Sequence, residues 1–329
     1  MDAPFPSTLS ICDPHFHIWD NVSNPKNKNL GGIADGPLSV YVSSHYASGA
    51  GALPVESVVH VETVVGQDGS FAIDSVAETS FVARDTVPLA KSTRVGVVAF
   101  VDLTKPVDDV IAALDAHAKA AIAPSQFVGV RFILNFDAED KSLTWPQVAR
   151  DFLAEPSGFP DGFRELSKRG LTFDLHANPA QLYDAAEFLR VAPPTRVVID
   201  HLGCPKLGQG AATDAKTIEV WKYGMRALAR VPLVNVKISG LCYIRTGWLV
   251  PGSEARAAVE ELVAFVLSEF GAARCMVASN FPVDLHVDGA DMPTLYAGLY
   301  AILAPRLDRD QLRAVFADNA IGFYGLTEP

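Results

Sequence analysis

At 329 residues, 49% hydrophobic and 20% charged, the chain is too apolar for long disorder and long enough for one large core or two average ones. A formal net charge of -11, with no run of Lys and Arg to reverse it locally, weighs against nucleic acid as a partner. The longest apolar runs, such as Val95–Val101, fall far short of a membrane span, and MDAPFPSTLS has neither the basic nor the apolar part of a signal peptide. Cys12, Cys204, Cys242 and Cys275 are widely spaced and form no C-x-x-C pair, so no disulfide framework is expected. A soluble, cytoplasmic protein is the expectation.

The first strand-like run is SICDPHF (10–16), which leads into HIWD. On a strand, residues two apart share a face, so Asp13, His15 and His17 are expected to point the same way. From Asp20 to Pro54 the chain is rich in Gly, Asn, Ser and Pro and too long for a simple connection, which marks an insertion. Further runs follow at SVVHVE (57–62), RVGVVAFV (94–101), FVGVRFIL (127–134), LTFDLH (171–176), RVVID (196–200), LVNVKIS (233–239) and RCMVAS (274–279). Helical periodicity lies between them at Val107–Ala120, Pro179–Arg190, Thr213–Arg230 and Ser253–Phe270. The tail DRDQLRAVFADNAIGFYGL reads as a closing helix that starts at an acidic cap and ends near Gly322 to Gly325. Eight expected strands, several of them apolar on both faces, alternate with helices and predict an α/β fold of the (β/α)₈ TIM-barrel type. It is expected to span 1–329 as one domain, with the long insertion after strand 1.

Four of the eight histidines, His15, His17, His176 and His201, fall at the carboxyl ends of expected strands, the face on which barrel enzymes build their sites. Neutral imidazoles there can converge on a metal ion or a substrate, whereas any one of them alone could equally be a hydrogen-bonded structural histidine. Glu62, Arg131 and Lys237 stand inside strands where core residues belong, so they either pair with one another or meet a substrate carboxylate. Arg131 has the fork geometry that suits a carboxylate. In LCYIRTGW, Tyr243 and Trp248 either wall a small-molecule pocket or pack the loop. His60 reads as a packed strand histidine, and His45, His117 and His286 as surface or loop residues. No Gly-rich phosphate loop, G-x-S-x-G elbow or K-T-G set is present.

The stretches DPHFHIWD, VHVET, GVRF, FDLHANPAQL, VIDHLGCP, NVKISGL, RCMVASNFPVD and DNAIGFYGL, in this order, make the chain resemble the amidohydrolase superfamily of metal-dependent hydrolases. The likeness is to the amidohydrolase-2 branch, which includes lactonases, and covers nearly the whole chain. It implies His15, His17 and His176 as ligands for one divalent ion (zinc or manganese) and His201 as a further site residue. The usual eighth-strand aspartate falls on Asn280, a departure: a neutral amide is a poor proton acceptor. Asp284, four residues on, either supplies the missing carboxylate or is a loop or cap residue, and a metal-free mechanism stays open with it. The reaction implied is water attack that opens a lactone or similar cyclic ester of a small, polar, carboxylated compound. A metal-dependent decarboxylase and a barrel that binds a small molecule without catalysis are the alternatives. Monomer and homo-oligomer are both compatible with the sequence.

Overall fold

The computed structural model describes residues 2–23, 36–63, 75–89, 93–121, 126–145 and 148–327. Eight strands pair in parallel in chain order: β1 (Ile11–Phe16), β2 (Val55–Val61), β3 (Arg94–Phe100), β4 (Phe127–Ile133), β5 (Thr172–His176), β6 (Val197–Ile199), β7 (Val234–Ile238) and β8 (Cys275–Val277). Between β1 and β8 the ladder gives way to specific bonds. Asn280 N–H donates to the His15 carbonyl (2.8 Å), His17 N–H to the Phe281 carbonyl (2.8 Å), and Phe16 bridges to Phe281. The Asp13 carboxylate adds to this seam by accepting from Ser279 N–H (2.8 Å) and Ser279 O–H (2.6 Å). This is the TIM barrel that the eight apolar runs predict.

The helices, in chain order, are α1 (Ser43–Ala50), α2 (Ser75–Asp85), α3 (Val107–Ala120), α4 (Phe159–Arg169), α5 (Leu182–Val191), α6 (Ala211–Ala229), α7 (Leu241–Ile244), α8 (Glu254–Phe270), α9 (Val283–Asp288), α10 (Met292–Leu303), α11 (Arg309–Arg313) and α12 (Asn319–Tyr324). Their starts follow from local chemistry: Ser253 caps α8 by accepting from Arg256 N–H (3.0 Å), and Asp308 caps α11 from Gln311 N–H (2.9 Å). The expected closing helix is two helices joined by a wider π turn at Ala314–Asp318, ending on Gly325 in the left-handed region.

The larger apolar layer lies between strands and helices, where Val58, Phe132, Leu175 and Val236 meet Leu114, Phe163 and Leu228. A smaller cluster inside the barrel joins Cys12, Val59, Val61, Val98, Val198 and Met276 to Ala320, Phe323 and Tyr324, so that α12 plugs one end. Close strand approach there requires glycine: a Cβ on Gly129 would lie 2.0 Å from Thr172 Oγ1 and 2.9 Å from its carbonyl oxygen.

The strict alternation expected for Asp13, His15 and His17 is broken. A register shift between Asp13 and Phe16 lets Cys12 face the barrel interior, Asp13 turn out to the Tyr46 hydroxyl of α1 (2.8 Å), and His15 return inward. The insertion after β1 contributes α1 and a short antiparallel pair, Trp19–Asp20 with Val40–Tyr41; its residues 24–35 lie outside the described residues. Among the described residues no helix is long and apolar enough to cross a membrane.

Candidate active site

Above the apolar plug the barrel interior carries a buried network of charges. Arg131 on β4 donates through Nε to Glu62 Oε1 (2.6 Å) and through Nη2 to the Glu62 carbonyl (2.6 Å), with Nη1 3.7 Å from Asp200 Oδ2. Lys237 on β7 bonds Asp174 on β5, lies 3.0 Å from Asp200 Oδ1, and reaches His15 Nδ1 at 3.1 Å. Tyr324 of α12 donates to Asp174 (2.9 Å). Burial works against ionised Asp200, yet Lys237 holds it well below the usual carboxylate range. Burial and Lys237 push His15 well down, so this imidazole is neutral. Of the two roles open to Arg131 and Lys237, the geometry gives internal ion pairing to both.

At the carboxyl ends of the strands a cavity of about 270 Å³ opens over this network. That is just under the roughly 300–1,000 Å³ of sites for drug-sized ligands, so it suits one small ring with substituents. Its polar lining includes His17, Arg131, His176, His201 and Asn280, its apolar lining Ile133, Leu143, Trp145, Tyr243, Ile244 and Val283, and Cys204 and Lys206 also line it.

The protonation of these imidazoles follows from their partners. His17 Nδ1 lies 2.7 Å from the Val61 carbonyl, an acceptor only, so Nδ1 carries the hydrogen and Nε2 is bare. For His176 two amides decide. Asn178 Nδ2 must donate to the carbonyls of Leu143 (2.8 Å) and Phe136 (3.2 Å), so its oxygen accepts from Asn135 Nδ2 (2.7 Å). That leaves Asn135 Oδ1 on His176 Nδ1 at 2.5 Å, which puts the hydrogen on Nδ1 and a lone pair on Nε2. Burial, then Arg131, pushes His176 down to about 4 and His17 well below its ordinary value; burial chiefly takes His201 to about 3. His201 Nδ1 meets Ser239 Oγ (2.9 Å), and its ring rests on Gly240, where a Cβ would lie 2.6 Å from Nδ1.

Of the residues singled out in the sequence, His17, His176, His201, Asn280, Arg131 and Tyr243 line the cavity. His15, Glu62 and Lys237 lie beneath it in the ion network. Trp248 corrects the expectation of a pocket wall: it is fully buried, donates its indole N–H to Cys242 Sγ (3.4 Å) and stacks under Arg256. Asp284 is set behind Asn280, whose Nδ2 donates to its Oδ1 (3.0 Å), and burial raises its carboxyl to about 7. Asp284 lies in the first turn of α9 and does not line the cavity. Asn280 itself has φ 56, a left-handed conformation that asparagine tolerates. Sequence reasoning passed over Asp174, Asp200, Asn135, Trp145, Cys204 and Lys206. The first two could have been sought as the acids that a buried Arg131 and Lys237 require.

Two arrangements fit a divalent ion. Donor atoms of His15, Asp200 and His201 lie within 4.8 Å of one another, although the Lys237 ammonium already sits against two of these residues. Facing the cavity, His17 Nε2 and the Asn280 amide oxygen lie 3.3 Å apart, two atoms of the kind that ligate a divalent cation.

An amidohydrolase family model matches residues 12–326, and the chain belongs to that family of hydrolases. It is 29% identical over 327 residues to the uncharacterised protein y4mH of Sinorhizobium fredii, covering 97% of this chain and 99% of that one. It is likewise 29% identical over 281 residues to an L-fucono-1,5-lactonase of Burkholderia ambifaria, covering 84% and 82%. Among solved structures, an amidohydrolase of Burkholderia multivorans with bound HEPES superposes with a TM-score of 0.74 at 21% identity, over 96% of this chain and 99% of that one. A second crystal form of that protein, with zinc bound, gives 0.72.

Proposed function

We propose that the protein hydrolytically opens a lactone or similar cyclic ester of a small carboxylated compound. The observation that carries this reading is the pair of bare Nε2 atoms, on His17 and His176, held on the wall of one small cavity by fixed backbone and amide acceptors. Such atoms accept the proton that attack on an ester carbonyl releases. The likeness to a curated lactonase supports the same reaction class. The guanidinium of Arg131 is committed to Glu62, so orientation of an anionic substituent passes to Lys206, an exposed ammonium on the same wall. The apolar side, with Trp145 and Tyr243, receives the ring.

A divalent ion held by His17 and Asn280 would supply polarisation of the carbonyl oxygen and occupy His17 Nε2, leaving His176 as the proton acceptor. Decarboxylation, the alternative raised by the sequence, lacks at this wall the carboxylate that Asn280 replaces and Asp284 keeps behind it. The test is acid release from a panel of sugar-acid and pyrone-type lactones in weakly buffered indicator. Opening of at least one lactone is expected, with kcat reduced on the order of 10²-fold or more in His176→Asn. A wild-type enzyme that opens none of them contradicts the reading.

A further inference from the structure

Four consecutive residues after β6 run in the left-handed region: His201 (φ 50), Leu202 (φ 52), Gly203 (φ 73) and Cys204 (φ 57). Residues with a side chain visit that region singly as a rule, because Cβ crowds the following carbonyl oxygen, so three in one turn carry a cost that other contacts must offset. The one other non-glycine residue with a positive φ among the described residues is Asn280, beyond the end of β8. His201, Cys204 and Asn280 all line the cavity, so the strained backbone gathers at the site.

Within the turn, Gly203 N–H donates to the Asp200 carbonyl (2.9 Å) and Cys204 N–H to the His201 carbonyl (2.8 Å). Bonds across three residues close turns of either hand, so these do not select the left-handed form. The contact from outside comes from α6. Trp221, fully buried, donates its indole N–H to the Leu202 carbonyl at 2.5 Å, while the Leu202 side chain is itself fully buried in the layer between strands and helices. An indole has one polar hydrogen and no acceptor, and a purely apolar ring would fill that layer without needing a partner. On the other side the His201 ring is stopped by Ser239 Oγ and by Gly240. Backbone and ring are thus held from two directions.

We propose that Trp221 is a positioning residue of the cavity: through the Leu202 carbonyl it holds the left-handed turn that keeps the His201 ring on the cavity wall. The inference concerns where the ring is held, whether it meets substrate or an ion, and its kinetic arm alone rests on the lactone-opening reading. Without the indole N–H the turn loses the contact that selects its hand, and the ring moves with its backbone. Displacements of this size matter, because reacting groups about 1 Å out of place cost on the order of 10²-fold in rate.

The experiment compares wild type with Trp221→Phe, which removes the N–H, and with Phe265→Leu. Phe265 of α8 packs on the same indole, with ring centroids 5.1 Å apart, so its variant loosens the packing and leaves the N–H in place. Each is read by lactone kinetics and by nitrogen-15 NMR of the His201 ring, assigned through His201→Asn. In Trp221→Phe we expect kcat to fall about tenfold or more with KM changed by less than about threefold, and the His201 ring signals to move. In Phe265→Leu both should stay close to wild type. The proposal is overturned if Trp221→Phe keeps kcat within about threefold and leaves the His201 signals in place, or if Phe265→Leu produces the same changes. Should Trp221→Phe fail to fold, β-(3-benzothienyl)alanine at position 221, with sulfur in place of N–H and the outline of the indole kept, is read in the same way and decides alike. If the wild type opens no lactone, the function reading fails, and the His201 signals alone decide for or against the role of Trp221.

Discussion

His176 owes its chemistry to a hydrogen it keeps. With Nδ1 committed to Asn135, only Nε2 can take a proton, and burial lowers that affinity to a pKa of about 4. The sign follows directly: protonation removes the acceptor, so activity is present above that value and lost below it. We expect kcat/KM to stay level from about pH 8 to 5 and to fall as the pH passes through about 4, with no limb near 6.5; a limb there would mean an imidazole exposed to water. Asp284 behaves oppositely, through stability. Its folded carboxyl, raised to about 7, holds a proton that the unfolded chain releases near 4, so its contribution is fully present below about pH 4 and lost as the pH rises to about 7. Asp284→Asn removes this slope. Denaturant titrations at pH 4 and 8 should show the variant gaining at the higher pH, by at most about 4 kcal/mol relative to wild type.

At the scale of elements, the ends of strands decide what reaches the cavity. The loop after β7 passes under the His201 ring through Gly240, with φ +61 and no room for a Cβ. Gly240→Ala should cost about 1–3 kcal/mol and move the ring off Ser239, lowering kcat more than the loss of stability alone explains; unchanged kcat and melting temperature would show that the ring has slack. The strand ends were also the most legible part of the sequence. A histidine that closes an apolar β-branched run can be placed on the catalytic face without knowing its neighbours, and His17, His176 and His201 are all found there. Parity within β1 was not legible, because the bulge between Asp13 and Phe16 depends on how β1 pairs with β2. Nor was the division between Tyr243 and Trp248: an aromatic on a loop reads alike whether it walls a cavity or packs on Cys242.

For the whole molecule the informative feature is closure. The β1–β8 seam is held by a few bonds, two of them accepted by the buried Asp13 carboxylate from Ser279, and the same carboxylate accepts from Tyr46 of α1. The same seam carries Asn280 and His17 into the cavity wall, so fold and site share one joint. Asp13→Ala leaves these donors without their acceptor and should destabilise the protein by about 2–5 kcal/mol. A melting temperature unchanged by this substitution would show that the seam closes by other means. Partners here come from positions 13, 46 and 279, and in the ion network from 62, 131, 174, 200 and 237. Local pattern gives each strand its place but does not say which acid meets which base across the barrel. Asp174 and Asp200 remained hidden in their apolar runs for that reason.

Ester opening at this cavity depends most on neutral imidazoles that present Nε2 to it, a property open to measurement without knowing the substrate. Nitrogen-15 NMR of histidine-labelled protein between pH 5.5 and 8 measures it directly. For His17 and His176, assigned through His17→Asn and His176→Asn, the prediction is a protonated Nδ1, a bare Nε2 and no titration across that range. A hydrogen on Nε2, or a midpoint near 6.5, would contradict the account, because neither ring could then accept a proton from the attacking group.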